Sequence, residues 1–130
     1  MAIISYLEYS NRDARYAHEM FKAECFDPCG RFCQQSIEKR FKHYINKNGT
    51  AEDMYILTTH SLVKLYTRVC ELAGVSADKA VKGDLATLTD YYFDTNPKED
   101  GNIELTKAMA AEAMEVATTV NKWVNLLLER

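Results

Sequence analysis

The sequence is poor in breakers. Two prolines and five glycines serve 130 residues, and they read as punctuation between long helical patterns. No stretch alternates polar and apolar residues over the length of a strand, which excludes a sheet. No run approaches the roughly 20 apolar residues of a membrane span, so no membrane role is expected. The N-terminus MAIISYLEYS carries no basic leader, apolar core and cleavage site, and a cytoplasmic location is expected. There is no CxxC and no HxxxH pair. Cys25, Cys29 and Cys33 stand four apart, a helical spacing rather than that of a zinc knuckle. The four cysteines are expected to be reduced, packed thiols, and neither a metal nor another cofactor is expected. Nor is there a basic excess: 16 Lys and Arg face 19 Asp and Glu, a net charge of −3. Any contact with nucleic acid must therefore be local.

What the sequence does hold is helical periodicity, on a single domain spanning 1–130. Ile3, Leu7, Ser10, Ala14, Ala17 and Phe21 recur every three or four residues and predict a first helix. FDPCG interrupts at 26–30, with Asp27 as the expected N-cap and Pro28 as the first helical residue. A second helix carries Cys33, Ile37, Phe41 and Tyr44 on one face and stops at Asn48-Gly49. AEDMYILTT reads as a loop or a short helical turn. The third helix begins near His60, buries Leu62, Leu65, Val69 and Leu72, and ends at Gly74. Ser76 is the expected cap of a fourth, striped by Val81, Leu85, Leu88 and Tyr92 and closed by Pro97. The last runs from about Ile103, with Met109, Ala113, Val116, Val120, Trp123 and Leu127 inward. The expected fold is all-α, an up-down antiparallel helical bundle of four long helices plus a shorter fifth element.

The second helix is chemically unusual. With its apolar stripe removed, CQQSIEKRFKHYINKNG leaves Gln34, Gln35, Glu38, Lys39, Arg40, Lys42, His43 and Lys47. A solvated helix face normally mixes signs, whereas this one is basic with a single acid. One account is a solvated face carrying the Glu38–Lys42 i,i+4 pair. The other is a surface for phosphate, with the Gln35 amide aimed at a base or a backbone group.

The same residues resemble a known family, the HEPN domains, small helical bundles named for nucleotide binding in higher eukaryotes and prokaryotes. Their second helix typically reads Q-Q-x-x-E-K-x-x-K, matched by Gln34, Gln35, Glu38, Lys39 and Lys42. Their first helix often carries A-x-x-D-L-x-x-A; here SNRDARYA supplies Asp13 and Ala17 but Ala14 at the Leu position. Their third helix commonly opens T-H-x-L, matched by Thr59, His60, Ser61 and Leu62. The resemblance covers nearly the whole chain, in order and in register. It implies homodimers, with ligand sites near the shared groove, and a minimal nucleotidyltransferase as partner. Ribonuclease members of the family end the fourth helix with Arg, a polar residue and, four to six positions after the Arg, His.

In YYFDTNPKEDGN, residues 91–102, Thr95 or Asn96 occupies the Arg position and no His follows. Metal-independent RNA cleavage needs a base, an acid and a cation for the phosphorane charge, and asparagine cannot supply the charge. Arg12 and His18 have the right separation but stand six residues apart on one helix, about 120° from each other. No catalytic residue is therefore expected. The expected function is a non-catalytic nucleotide-, RNA- or partner-binding subunit; the alternative is a divergent ribonuclease toxin of a toxin–antitoxin system. The candidate ligand residues are Gln35, Glu38, Lys39, Lys42, His60, Tyr91 and Asn96. His60 is expected to bond across the bundle to Asp13, Glu38 or a tyrosine, and Tyr91, Tyr92 and Phe93 to be core aromatics or stacking platforms. Leu126 and Leu128 flank Leu127 by about 100° each, leaving apolar surface for self-association.

Overall fold

The computed structural model describes residues 5–93 and 104–130, which include no strand. Five α-helices follow one another: α1 (Tyr6–Lys22), α2 (Phe26–Asn48), α3 (Leu62–Ala73), α4 (Lys79–Phe93) and α5 (Lys107–Leu128), with a 3-10 helix at Ala51–Thr58. The helical bundle expected from periodicity is the fold observed. No helix among the described residues is long and apolar enough to cross a membrane.

α2 is the axis. It packs against α1, α3, α4 and α5, and α1 lies along it most extensively. The core gathers Ile37 and Phe41 of α2 with Leu62, Leu65 and Val69 of α3, Leu85 of α4 and Val124 of α5, all fully buried. Burying such side chains contributes roughly 1.5–3 kcal/mol each.

Local chemistry sets the boundaries. The hydroxyls of Ser5, Ser61 and Thr106 cap α1, α3 and α5 by accepting the amides of Glu8, Lys64 and Met109. α1 ends where Cys25 N–H reaches Met20 O and Glu24 N–H reaches Phe21 O. That pattern needs a left-handed residue, and Glu24 supplies it at φ 60°. Gly74 performs the same service for α3 at φ 71°. The 3-10 helix starts in a capping box between Thr50 and Asp53, and Arg68 of α3 grips the Asp53 carboxylate through two nitrogens at 2.6 and 3.1 Å.

Four expectations are corrected. Asp27 does not cap α2, which begins at Phe26; its carboxylate instead accepts the Leu105 amide at 2.7 Å, tethering the approach to α5. Asp78, not Ser76, accepts the first-turn amide of α4, from Val81. Gly30 and Gly83 lie inside α2 and α4 rather than between elements. The inward stripe of α5 is Ala110, Ala113, Ala117, Val120, Val124 and Leu127. Met109, Val116 and Trp123 are only half-buried beside it. Leu88 is buried as expected.

Candidate functional site

The polar residues of α2 do not form a solvated face. Gln34, Ser36, Glu38, Arg40 and Lys42 are all buried, so the expectation of an exposed basic surface is corrected at Arg40 and Lys42. They stay inside because each finds partners.

Toward α1 and α5, Ser10 Oγ donates to Ser36 O at 2.6 Å and Ser36 Oγ returns a bond to Ser10 O at 2.8 Å. Arg40 spreads its guanidinium over Ser10 Oγ, Asn11 Oδ1 and Asn125 Oδ1, and Asn121 Nδ2 donates to Ser36 Oγ. Burial lowers the affinity of Arg40 for its proton, and these three oxygens stabilise the cation without a carboxylate. The network fastens three helices.

Toward α3 lies a second cluster, centred on Glu38. Oε2 receives Lys42 Nζ at 3.1 Å. Oε1 receives Gln34 Nε2 at 3.1 Å and lies 3.0 Å from His60 Nδ1. Burial pushes the Glu38 carboxyl up, but the Lys42 charge and the bonds from Gln34, His60 and Lys42 outweigh it and hold it below its ordinary value. An ionised carboxylate only accepts, so His60 carries its proton on Nδ1. The ring stacks on Tyr92 with centroids 4.7 Å apart. Of the partners expected for His60, the structure selects Glu38.

Next to Glu38 on α2 and about 100° round the helix, Lys39 Nζ stands 3.6 Å from Asp13, a fully buried acid of α1 that Arg12 also contacts at 3.2 Å. The Arg12 guanidinium lies over the rings of Tyr9 and Tyr16, at 4.4 and 5.5 Å, a favourable arrangement for a cation.

Arg31 completes the strip, for residues 31, 35, 38 and 42 recur at i, i+4, i+7 and i+11 on one side of α2. It is half-buried, its Nε is buried without a hydrogen-bond partner, and no carboxylate among the described residues lies within ion-pair distance. Among the described residues, it is a cation on this face that has no counter-charge. Composition gave no hint of it; the signal was its register with Gln35 and Glu38.

Of the candidate residues, the structure therefore joins Glu38, Lys42 and His60 directly, with Lys39 next to Glu38 on α2 and half-buried Gln35 about one turn before it. Tyr91 stands apart, buried against Gly30. Asn96, Thr95 and Phe93's side chain lie outside what is described. His18 is exposed and separate from Arg12's contacts. No group of three or more His, Cys, Asp or Glu among the described residues is placed to hold a metal.

No curated protein and no solved structure matches the chain. The sequence model of the HEPN domain, however, matches residues 5–127, nearly all of it, and supports a nucleotide- or RNA-related function in general. With the helical bundle and the α2 motif both in place, the chain belongs to the HEPN domain family.

Proposed function

We propose that this HEPN domain is a non-catalytic binding subunit that takes a nucleotide or RNA phosphate on the polar side of α2. The observation that carries the reading is Arg31, a half-buried guanidinium with no carboxylate partner among the described residues. Desolvating a cation costs free energy that a counter-charge recovers, and an arginine fork suits phosphate oxygens. Lys39, with 22% of its side chain exposed, adds a second contact, and Gln35 an amide. Lys42 and Glu38 then serve as the internal pair that holds the face in shape. The chain works as a homodimer alongside a minimal nucleotidyltransferase; Leu126, 55% exposed on α5, supports self-association.

Fluorescence anisotropy with a labelled single-stranded RNA of mixed sequence tests this. Binding is expected to weaken with salt, and Arg31→Glu or Lys39→Glu to reduce affinity and lower the slope of log K against log salt by about 0.7 per lost contact. Unchanged affinity in the double variant removes the site. A mass of about twice 14.9 kDa in light scattering tests the dimer, and co-purification with the product of a neighbouring nucleotidyltransferase gene tests the partner.

One observation favours a second reading. A histidine oriented by a carboxylate, as His60 is by Glu38 at 3.0 Å, suits proton transfer, and so suits a divergent ribonuclease toxin. Metal-independent RNA cleavage lost in His60→Ala would establish that reading in place of the first.

A further inference from the structure

α4 and α5 both pack on α2, yet they scarcely meet each other. A trough of about 350 Å³ separates them. Its floor is apolar, with Leu88, Tyr91, Ala113 and Val120 buried and Val81 and Val116 half-buried. A second hollow of about 290 Å³ continues it along α5, sharing Val81, Thr119 and Val120 and ending on the Trp123 ring. From Val81 to Tyr91 is ten residues of helix, or about 15 Å.

Among the described residues the rim is of one sign: every charged side chain lining the two hollows is an acid, Asp84, Glu112 and Glu115 on the first and Asp78 on the second. None of the four has an ion-pair partner among the described residues. Burial, then the nearby Glu112 and Asp90 carboxylates, hold the Tyr91 hydroxyl above its ordinary value, so the negative field reaches the floor.

An apolar strip three turns long between uncompensated carboxylates repels phosphates and anionic lipid. It also disfavours a second copy docked trough to trough, since a two-fold contact would set like charges opposite one another. What it fits is a helix with apolar anchors at i, i+3, i+4 and i+7 and cationic flanks. We propose that the α4/α5 trough docks an amphipathic helix of about ten residues, flanked by lysine and arginine, from a partner protein. This surface is independent of the α2 phosphate site.

The chain carries its own reporter, because Trp123 is the single tryptophan and lines the trough. The test titrates the full chain with a tryptophan-free synthetic peptide, Leu at the four anchor positions and Lys elsewhere, against the same peptide with Glu for Lys. A saturable change in Trp123 emission is expected with the lysine peptide and at least about tenfold weaker binding with the glutamate one. Glu112→Lys with Glu115→Lys is expected to weaken the lysine peptide by at least about tenfold. Both side chains are exposed, so the fold should survive. Should the double variant not fold, amide shifts of the unmodified chain decide: they must cluster on α4 and α5 lining residues. Absence of a saturable response, equal affinity for both peptides, shifts centred elsewhere, or a dimer that Val116→Asp separates into monomers would each overturn the proposal.

Discussion

Lys42→Met isolates what the interior of α2 is worth. The Lys42 and Glu38 side chains are only 7% and 4% exposed, with Nζ and Oε2 3.1 Å apart. At an effective dielectric near 20, that separation corresponds to roughly 5 kcal/mol of attraction, against a desolvation cost of several kcal/mol per ion. Removing the ammonium leaves a buried carboxylate with Gln34 and His60 as donors, so the loss should fall near the lower end of the range for broken buried pairs, about 3 kcal/mol. Glu38→Leu strands the ammonium instead and should cost a similar ~3 kcal/mol. The double variant removes both charges and takes from Gln34 Nε2 and His60 Nδ1 the carboxylate oxygen they face, a loss of about 2 kcal/mol. The coupling is then about 4 kcal/mol. Urea unfolding followed by helical circular dichroism reads these values as shifts in midpoint at constant slope. A double variant destabilised by the sum of the singles, about 6 kcal/mol, would refute the internal-pair account.

Acid should find the same pair. Because Glu38 sits below its ordinary value of 4.5, its stabilisation is complete above that pH and fades as pH falls through the lower folded value; Glu38→Gln should flatten that part of the stability profile. Phe41, fully buried, should cost about 3–5 kcal/mol as Phe41→Ala, whereas half-buried Trp123→Ala should cost nearer ~2 kcal/mol, and equal losses would put Trp123 in the core. Two helical glycines should respond with opposite signs to alanine in thermal melts. At Gly83 a Cβ would meet nothing within 4 Å, so Gly83→Ala should gain up to about 1 kcal/mol. At Gly30 a Cβ would collide with Leu105, so Gly30→Ala should lose about 1–3 kcal/mol.

Periodicity alone was enough for the architecture. Asn48-Gly49 and Gly74 mark the helix ends observed because no competing signal stands beside them. Where two good caps lie two residues apart, as Ser76 and Asp78 do, propensity does not separate them, and the structure selects Asp78. The expected stripe of α5 runs one residue out of phase with the observed one at three turns. Ranking by size turns Met109, Val116 and Trp123 inward, while close approach to α2 places the small Ala110 and Ala117 there. The site was legible in identity and not in depth. Glu38 and Lys42 look the same in sequence whether they face water or each other, and only the position of His60 and Gln34 shows which. Arg31 does not stand out in the sequence for the converse reason, since the lack of a counter-charge among the described residues is visible only in space.

Gly30 has a consequence for two elements at once. Its bare Cα leaves room for both Tyr91, near the end of α4, and Leu105, on the approach to α5, while Asp27 fastens the Leu105 amide at 2.7 Å. The end of α4 and the approach to α5 are thus moored to the same turn of α2, and a side chain added at position 30 would press on both at once.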